Sequence, residues 1–152
     1  MTTHSPQDSS AASRVQEIVR RLRERGHRLT PQRYAVLSAL VEGGGHPSAD
    51  QIFQRVIEAY PMMSPATVYK MLDTLKMAGE VLELEFRDGP NRYDANMPSA
   101  HPHVVCSRCG RIDDVMLDQI GPSLHDAARQ SEYQISGYRL DFYGLCPSCA
   151  TN

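Results

Sequence analysis

Two Cys-x-x-Cys pairs carry the most legible chemistry, Cys106-Ser107-Arg108-Cys109 and Cys146-Pro147-Ser148-Cys149. They use all four cysteines of the chain and are separated by 36 residues, Gly110 to Leu145. Zinc takes four thiolates as a tetrahedron at about 2.3 Å, and two such turns supply that geometry. The intervening segment is longer than that of a zinc ribbon, so the metal would clip the ends of a small domain together. The competing readings are two independent redox pairs or buried thiols. No cysteine is left over, and neither pair is expected to open a helix after a strand as a thioredoxin-type pair does. We therefore expect structural Zn(II) on Cys106, Cys109, Cys146 and Cys149.

A second constellation contains no sulfur. His101-Pro102-His103 stands just before the first pair, and on extended backbone residues two apart face one side. Asp113-Asp114 follows that pair, Asp94 ends an expected strand, and His46 precedes Pro47 in a loop. Imidazoles with carboxylates suit Fe(II), Mn(II) or Zn(II) at a higher coordination number than a thiolate site. Each residue also has a plain alternative as a loop or strand-end side chain in solvent. His4, His27 and His125 read as surface residues.

The elements that must position these groups change character along the chain. Met1 to Ala12 is rich in Ser, Thr and Ala and reads as a disordered tail. Val15, Ile18, Val19 and Leu22 recur at helical spacing, and Gly26 stops that helix. Thr30-Pro31 opens a second helix, which Gly43-Gly44-Gly45 ends. Ser48-Ala49-Asp50-Gln51 matches a capping box for a third helix, closed by Pro61. Ser64-Pro65 repeats the Thr30-Pro31 device for a fourth, ended by Gly79. The period then switches to alternation: Leu82, Leu84 and Phe86, an Asp88-Gly89 turn, and a return strand at Arg92-Tyr93-Asp94. Helices followed by one hairpin form the winged helix-turn-helix pattern, with the fourth as recognition helix.

Asn96 to Ala100 reads as a linker. Beyond it, Val104-Val105 and Ile112 to Val115 are strand-like, and Asp118 to Ser131 is helical with Ile120, Leu124 and Ala128 on one side. Tyr133 to Leu145 alternates and should hold one or two strands. The expected class is α+β: an N-terminal winged helix and a small C-terminal α/β domain stapled by Zn(Cys)4. The expected boundaries are 1–12 tail, 13–95 winged helix, 96–101 hinge and 102–152 zinc-containing domain.

Composition sets the outer limits. The 152 residues are 41% apolar and 22% charged, with a formal charge of −2, values of an ordinary globular chain. No apolar run approaches the roughly 20 residues that span a bilayer, and the first residues lack a signal-peptide core. A membrane protein, a secreted disulfide scaffold and a histone-like polycation are excluded, which leaves a cytoplasmic chain as the expectation. Charge is uneven, however. Residues 11–33 carry seven arginines against Glu17 and Glu24.

Together these segments resemble the ferric uptake regulator superfamily. The resemblance runs from about Arg14 to Cys149. It is carried by Leu29-Thr30-Pro31-Gln32-Arg33, His46-Pro47-Ser48-Ala49-Asp50, Ala66-Thr67-Val68-Tyr69, Arg92-Tyr93-Asp94, His101-Pro102-His103 with Cys106 to Gly110, and Tyr143-Gly144-Leu145-Cys146. It implies a homodimeric, metal-dependent repressor of double-stranded DNA operators whose C-terminal domain dimerises, and not an enzyme. Position by position it places His46, Asp94, His101, His103 and Asp114 on the regulatory metal site. Aspartate at 114, where the iron-responsive branch has glutamate, favours the peroxide-sensing branch. Pro102 and Tyr138 stand where a further metal site of the iron-sensing branch would need ligands.

The resemblance also implies a mechanism. Fe(II) or Mn(II) on the five mixed ligands would favour the DNA-competent arrangement. Peroxide reacting with Fe(II) would oxidise His46 or His101 and release the metal. DNA contacts are expected from Ser64, Thr67, Tyr69 and Lys70 on the recognition helix and from Arg28 and Arg33 at the second helix. Metal and peroxide are then the only small molecules the chain answers to. The nearest alternative is an iron- or zinc-uptake regulator without peroxide chemistry. A thiol redox switch that releases zinc is the alternative from another class, and a zinc hydrolase or deaminase is least favoured because the thiolate site is full.

Overall fold

The computed structural model describes residues 10–151, so His4 and most of the expected tail lie outside the described residues. The chain divides into two compact units between Pro98 and Ser99.

The first unit begins with α1 (Ala11–Glu24), α2 (Pro31–Glu42), α3 (Ala49–Ile57) and α4 (Pro65–Met77). A hairpin of β1 (Leu82–Leu84) and β2 (Arg92–Asp94) follows. Helix α1 starts at Ala11 rather than Ser13, because the Ser10 hydroxyl accepts from the Ser13 N–H. Thr30 caps α2 through the Arg33 N–H, and Ser48 and Gln51 complete both bonds of the capping box on α3. Ser64 differs from Thr30. Its side chain makes no cap bond and instead lies 3.4 Å from the Thr67 hydroxyl, so only the proline is shared between the two helix starts.

The inward stripes of the four helices meet in one core. Ile18, Leu22, Val36, Leu37, Ile52, Val68, Met71 and Leu75 are fully enclosed there. Each large aliphatic buried in this way contributes about 1.5–3 kcal/mol before entropy is charged against it. The hairpin is short: Leu82 pairs with Asp94 and Leu84 with Arg92, and Phe86 falls beyond the strand. A single bridge from Ser48 to Arg92, with the Tyr93 N–H on the Pro47 carbonyl, ties the His46-Pro47-Ser48 loop to β2.

The second unit contains β3 (His103–Cys106), β4 (Ile112–Asp114), α5 (Ile120–Ser131), β5 (Asp141–Gly144) and α6 (Pro147–Ala150). Its sheet runs β4-β3-β5, with β3 antiparallel to β4 and parallel to β5. A parallel pair needs a long crossover, and α5 provides it. Alternation in Tyr133 to Leu145 yields one strand, β5, and the residues before it form no regular element. Gly110, at φ 72°, lets the β3–β4 connection turn back so that its N–H reaches the Cys106 carbonyl.

This unit buries little. Its buried apolar side chains among the described residues are Pro102, Val105, Cys106 and Ile112, and α5 buries none. Ile120, Leu124 and Ala128 form the expected stripe but are only half-buried.

Candidate metal centre

The sulfur site is built at the end of the β3–β5 pair. Cys106 ends β3, Cys109 lies in the turn that Gly110 closes, and Cys146 and Cys149 bracket the start of α6. The four Sγ atoms lie within 4.8 Å of one another. Thiolates bound to one zinc at about 2.3 Å sit about 3.8 Å apart. The Cys109 and Cys146 sulfurs are 3.7 Å apart, far from a disulfide and at the tetrahedral edge, so the four thiols fit a zinc ion.

The site is also prepared electrostatically. Backbone N–H groups of Cys109 and Cys146 aimed at the Cys106 sulfur lower its pKa to about 5. Cys149, hydrogen-bonded with the Cys146 side chain, is pushed up to about 12, because thiols this close resist ionising together. A divalent cation removes that conflict. The second cysteine pair departs from expectation. Cys146 is the N-cap of α6, directly after β5, so this pair does open a short helix after a strand. Convergence of all four sulfurs, rather than the absence of a helix, favours metal over an independent redox pair.

The nitrogen and oxygen donors occur in both units. In the first, the loop bridged to β2 brings His46 Nε2 to 3.4 Å from Asp94 Oδ2, both side chains buried. Asp94 Oδ1 accepts the N–H groups of Asn96 and Met97, which fixes the carboxylate and leaves Oδ2 toward the imidazole. Arg92 donates from Nε to the His46 carbonyl and holds the loop.

In the second unit His101 and His103 bring their rings to 4.2 Å. A carbonyl can only accept, so His101 Nδ1 donates to Ser99 at 2.7 Å and Nε2 becomes the donor atom for a metal. Nε2 lies 3.0 Å from Asp114 Oδ1, and His103 Nε2 lies 3.7 Å from the same oxygen. Ligands at about 2.1 Å from one ion are about 3.0–3.4 Å apart. The spacing and the donor chemistry therefore fit a cation. Asp113 points elsewhere and pairs with Arg111.

The candidate DNA residues all belong to the first unit. Ser64, Tyr69 and Lys70 are exposed on the first turns of α4, with Thr67 half-buried beside them. Arg28 is exposed, and Arg33 reaches its carbonyl at 3.1 Å. Much of the arginine-rich stretch has internal work. Arg14 and Arg21 both pair with Glu80, whose carboxylate is buried, and with Glu17. Arg20 pairs with Glu24, and Arg25 donates to the Ala78 carbonyl.

Asp141 is not among the residues expected at the site. It stands beside His103 in the β3–β5 register, and no motif marks it. Only the strand pairing reveals it.

A winged-helix unit joined to a small sheet stapled by two Cys-x-x-Cys turns is the architecture of a metal-responsive regulator of transcription. The chain belongs to the ferric uptake regulator family, whose model matches residues 24–143. It is 35% identical over 135 residues to the peroxide-responsive repressor PerR of Staphylococcus aureus, covering 89% of this chain and 90% of that protein. PerR from Streptococcus pyogenes, a protein of peroxide sensing and gene regulation, is 34% identical, with 96% and 98% of the chains covered and a TM-score of 0.52. The Helicobacter pylori ferric uptake regulator Fur shares the fold at a TM-score of 0.74 with 20% identity, covering 93% and 95%. Membership makes the chain a metal-dependent transcriptional repressor and not an enzyme. Among the described residues no helix is long and apolar enough to cross a membrane.

Proposed function

We propose that the chain is a cytoplasmic, homodimeric repressor that binds operator DNA with Fe(II) or Mn(II) and leaves it when peroxide oxidises its own metal ligands. The observation that carries this reading is the sulfur-free donor set around Asp114, separate from the four thiols. Similarity to two PerR proteins and the aspartate at 114 support the peroxide branch.

Cys106, Cys109, Cys146 and Cys149 hold structural Zn(II). His46 and Asp94 from the first unit and His101, His103 and Asp114 from the second hold the regulatory ion. Fe(II), when bound, would supply the redox chemistry that cleaves the O–O bond of hydrogen peroxide, one oxygen entering a histidine ring C–H bond and the other leaving as water. His101 is held by Ser99 and His46 by its bridged loop, so each presents a fixed ring, and His46 or His101 takes up one oxygen atom. An oxidised ring is a poor ligand, and the ion is lost. Ser64, Thr67, Tyr69 and Lys70, with Arg28 and Arg33, contact the duplex. The boundaries expected from the sequence, with a hinge at 96–101 and a dimerising segment at 102–152, belong to this proposal. Exposed Ile135, Phe142, Tyr143 and Leu145, with the half-buried stripe of α5, support dimerisation.

The test compares Fe(II)- and Mn(II)-loaded protein treated with peroxide, by peptide mass mapping. A one-oxygen gain on His46 or His101 in the Fe(II) form alone is expected. Oxygen on neither histidine overturns peroxide sensing and leaves an uptake regulator. Oxidation confined to the cysteines with loss of zinc points to a thiol switch instead.

A further inference from the structure

His103 is the central member of a row across the second sheet. It is in register with Asp114 on β4 and with Asp141 on β5, and in-register neighbours project from one face. The two imidazole nitrogens are addressed differently. Nε2 faces Asp114, at 3.7 Å, whereas Nδ1 faces Asp141 Oδ1, at 3.8 Å. The Asp141 side chain is only 9% exposed. Its Oδ2 accepts from Arg139 Nε at 2.8 Å, and its Oδ1 has no hydrogen-bond partner among the described residues.

A buried carboxylate oxygen left in that state is costly unless it has a task. We infer that Asp141 is the positioning residue of His103: its carboxylate, anchored by Arg139, holds the proton on Nδ1 and so keeps Nε2 as the metal-binding atom. The inference rests on the regulatory-ion reading above. It makes the two histidines equivalent in design, since His101 is set in the same tautomer by the Ser99 carbonyl. A ring shift of less than 1 Å brings Nδ1 and Oδ1 to hydrogen-bond distance, about 2.9 Å.

Asp141→Asn separates this role from a purely structural one. Arg139 only donates, so it retains the amide oxygen, and the amide NH2 is turned to His103 Nδ1. That nitrogen must then accept, and the proton moves to Nε2, where it blocks the ligand. Two measurements follow, both on zinc-loaded protein. Without regulatory metal, 15N imidazole shifts at mildly alkaline pH should report a protonated Nδ1 on His103 in the wild type and a protonated Nε2 in D141N. Mn(II) affinity should fall about 10–100-fold in D141N, the range for loss of a carboxylate behind a ligating histidine. Asp141→Glu keeps a carboxylate and should restore the wild-type tautomer and most of the affinity. An unchanged tautomer with unchanged affinity in D141N overturns the inference alone. If wild-type protein takes up no more Mn(II) than His46→Ala, the regulatory-ion reading falls, and this inference with it. Full zinc content in every variant confirms that the fold is intact.

Discussion

Asp114 turns a single oxygen toward two imidazoles, and no other carboxylate in the second unit does so among the described residues. Replacing it with asparagine keeps the shape and removes the charge. Asp114→Asn should weaken Mn(II) binding about tenfold or more, a change of about 1.4 kcal/mol, while zinc content stays constant. Competition against a metal-sensitive dye measures it; equal affinity would remove Asp114 from the site. The cysteines predict a different outcome. With Val105, Cys106, Ile112 and Pro102 as its buried apolar side chains among the described residues, the second unit lacks a core that could fold it unaided. Structural zinc supplies about 10–16 kcal/mol of apparent binding energy in small domains. Cys106→Ser should therefore lose zinc and the structure of β3–β5 together, seen as collapse of amide protection there, while the first unit stays folded. The four thiols and the five proposed mixed ligands could be picked out in the sequence from residue type, spacing and the family resemblance. Asp141 was not, because a strand partner carries no signature until the register is known.

Glu83 on β1 joins three elements. It accepts from Lys76 on α4, from Asn91 in the hairpin loop at 3.0 Å and from the Tyr93 hydroxyl on β2 at 3.1 Å. Partial burial alone would raise its pKa, but these donors outweigh that and hold it below the usual glutamate range. The same contacts, with burial, push the Tyr93 phenol up. A carboxylate with a depressed folded pKa contributes stability that is fully present above its unfolded value and is lost as pH falls through the folded one. Glu83→Gln should cost about 1–3 kcal/mol at neutral pH, and the gap to wild type should close below the ordinary glutamate range. Denaturant melts at neutral and acid pH test this; a gap independent of pH would assign Glu83 a packing role only. Helices α2 and α3 were legible because cap and apolar period agree, and α4 because its period follows Pro65, without a cap bond from Ser64. The wing was legible as a hairpin, but its three-residue strands and the loop beyond Leu84 depend on these cross-element contacts. Residues before β5 alternate in sequence yet form no strand, since alternation signals a strand only when a neighbour has a free edge for it. The local excess of arginine also misleads, because Glu80, distant in sequence, neutralises Arg14 and Arg21.

Operator binding and regulatory-metal binding are proposed for different parts of the molecule, so their coupling is a property of the whole. His46 and Asp94 belong to the unit that carries the recognition helix, and His101, His103 and Asp114 to the other. If, as proposed, one ion takes ligands from both units, its occupancy is linked to the arrangement that DNA selects. Linkage is reciprocal: if Mn(II) tightens operator binding by some factor, operator tightens Mn(II) binding by the same factor, typically about 5–150. Mn(II) titrations with and without a duplex selected for binding, and duplex titrations with and without Mn(II), should return one number. His46→Ala and His101→Ala, substitutions in separate units, should each bring it to about one. Salt provides the control. Phosphate contacts release counterions, so operator affinity should fall steeply with salt. The coupling factor should change far less, because the duplex charge is common to the metal-bound and metal-free complexes and largely cancels in the ratio. Coupling that survived His46→Ala but not His101→Ala would confine the ion to the second unit and break the proposed link.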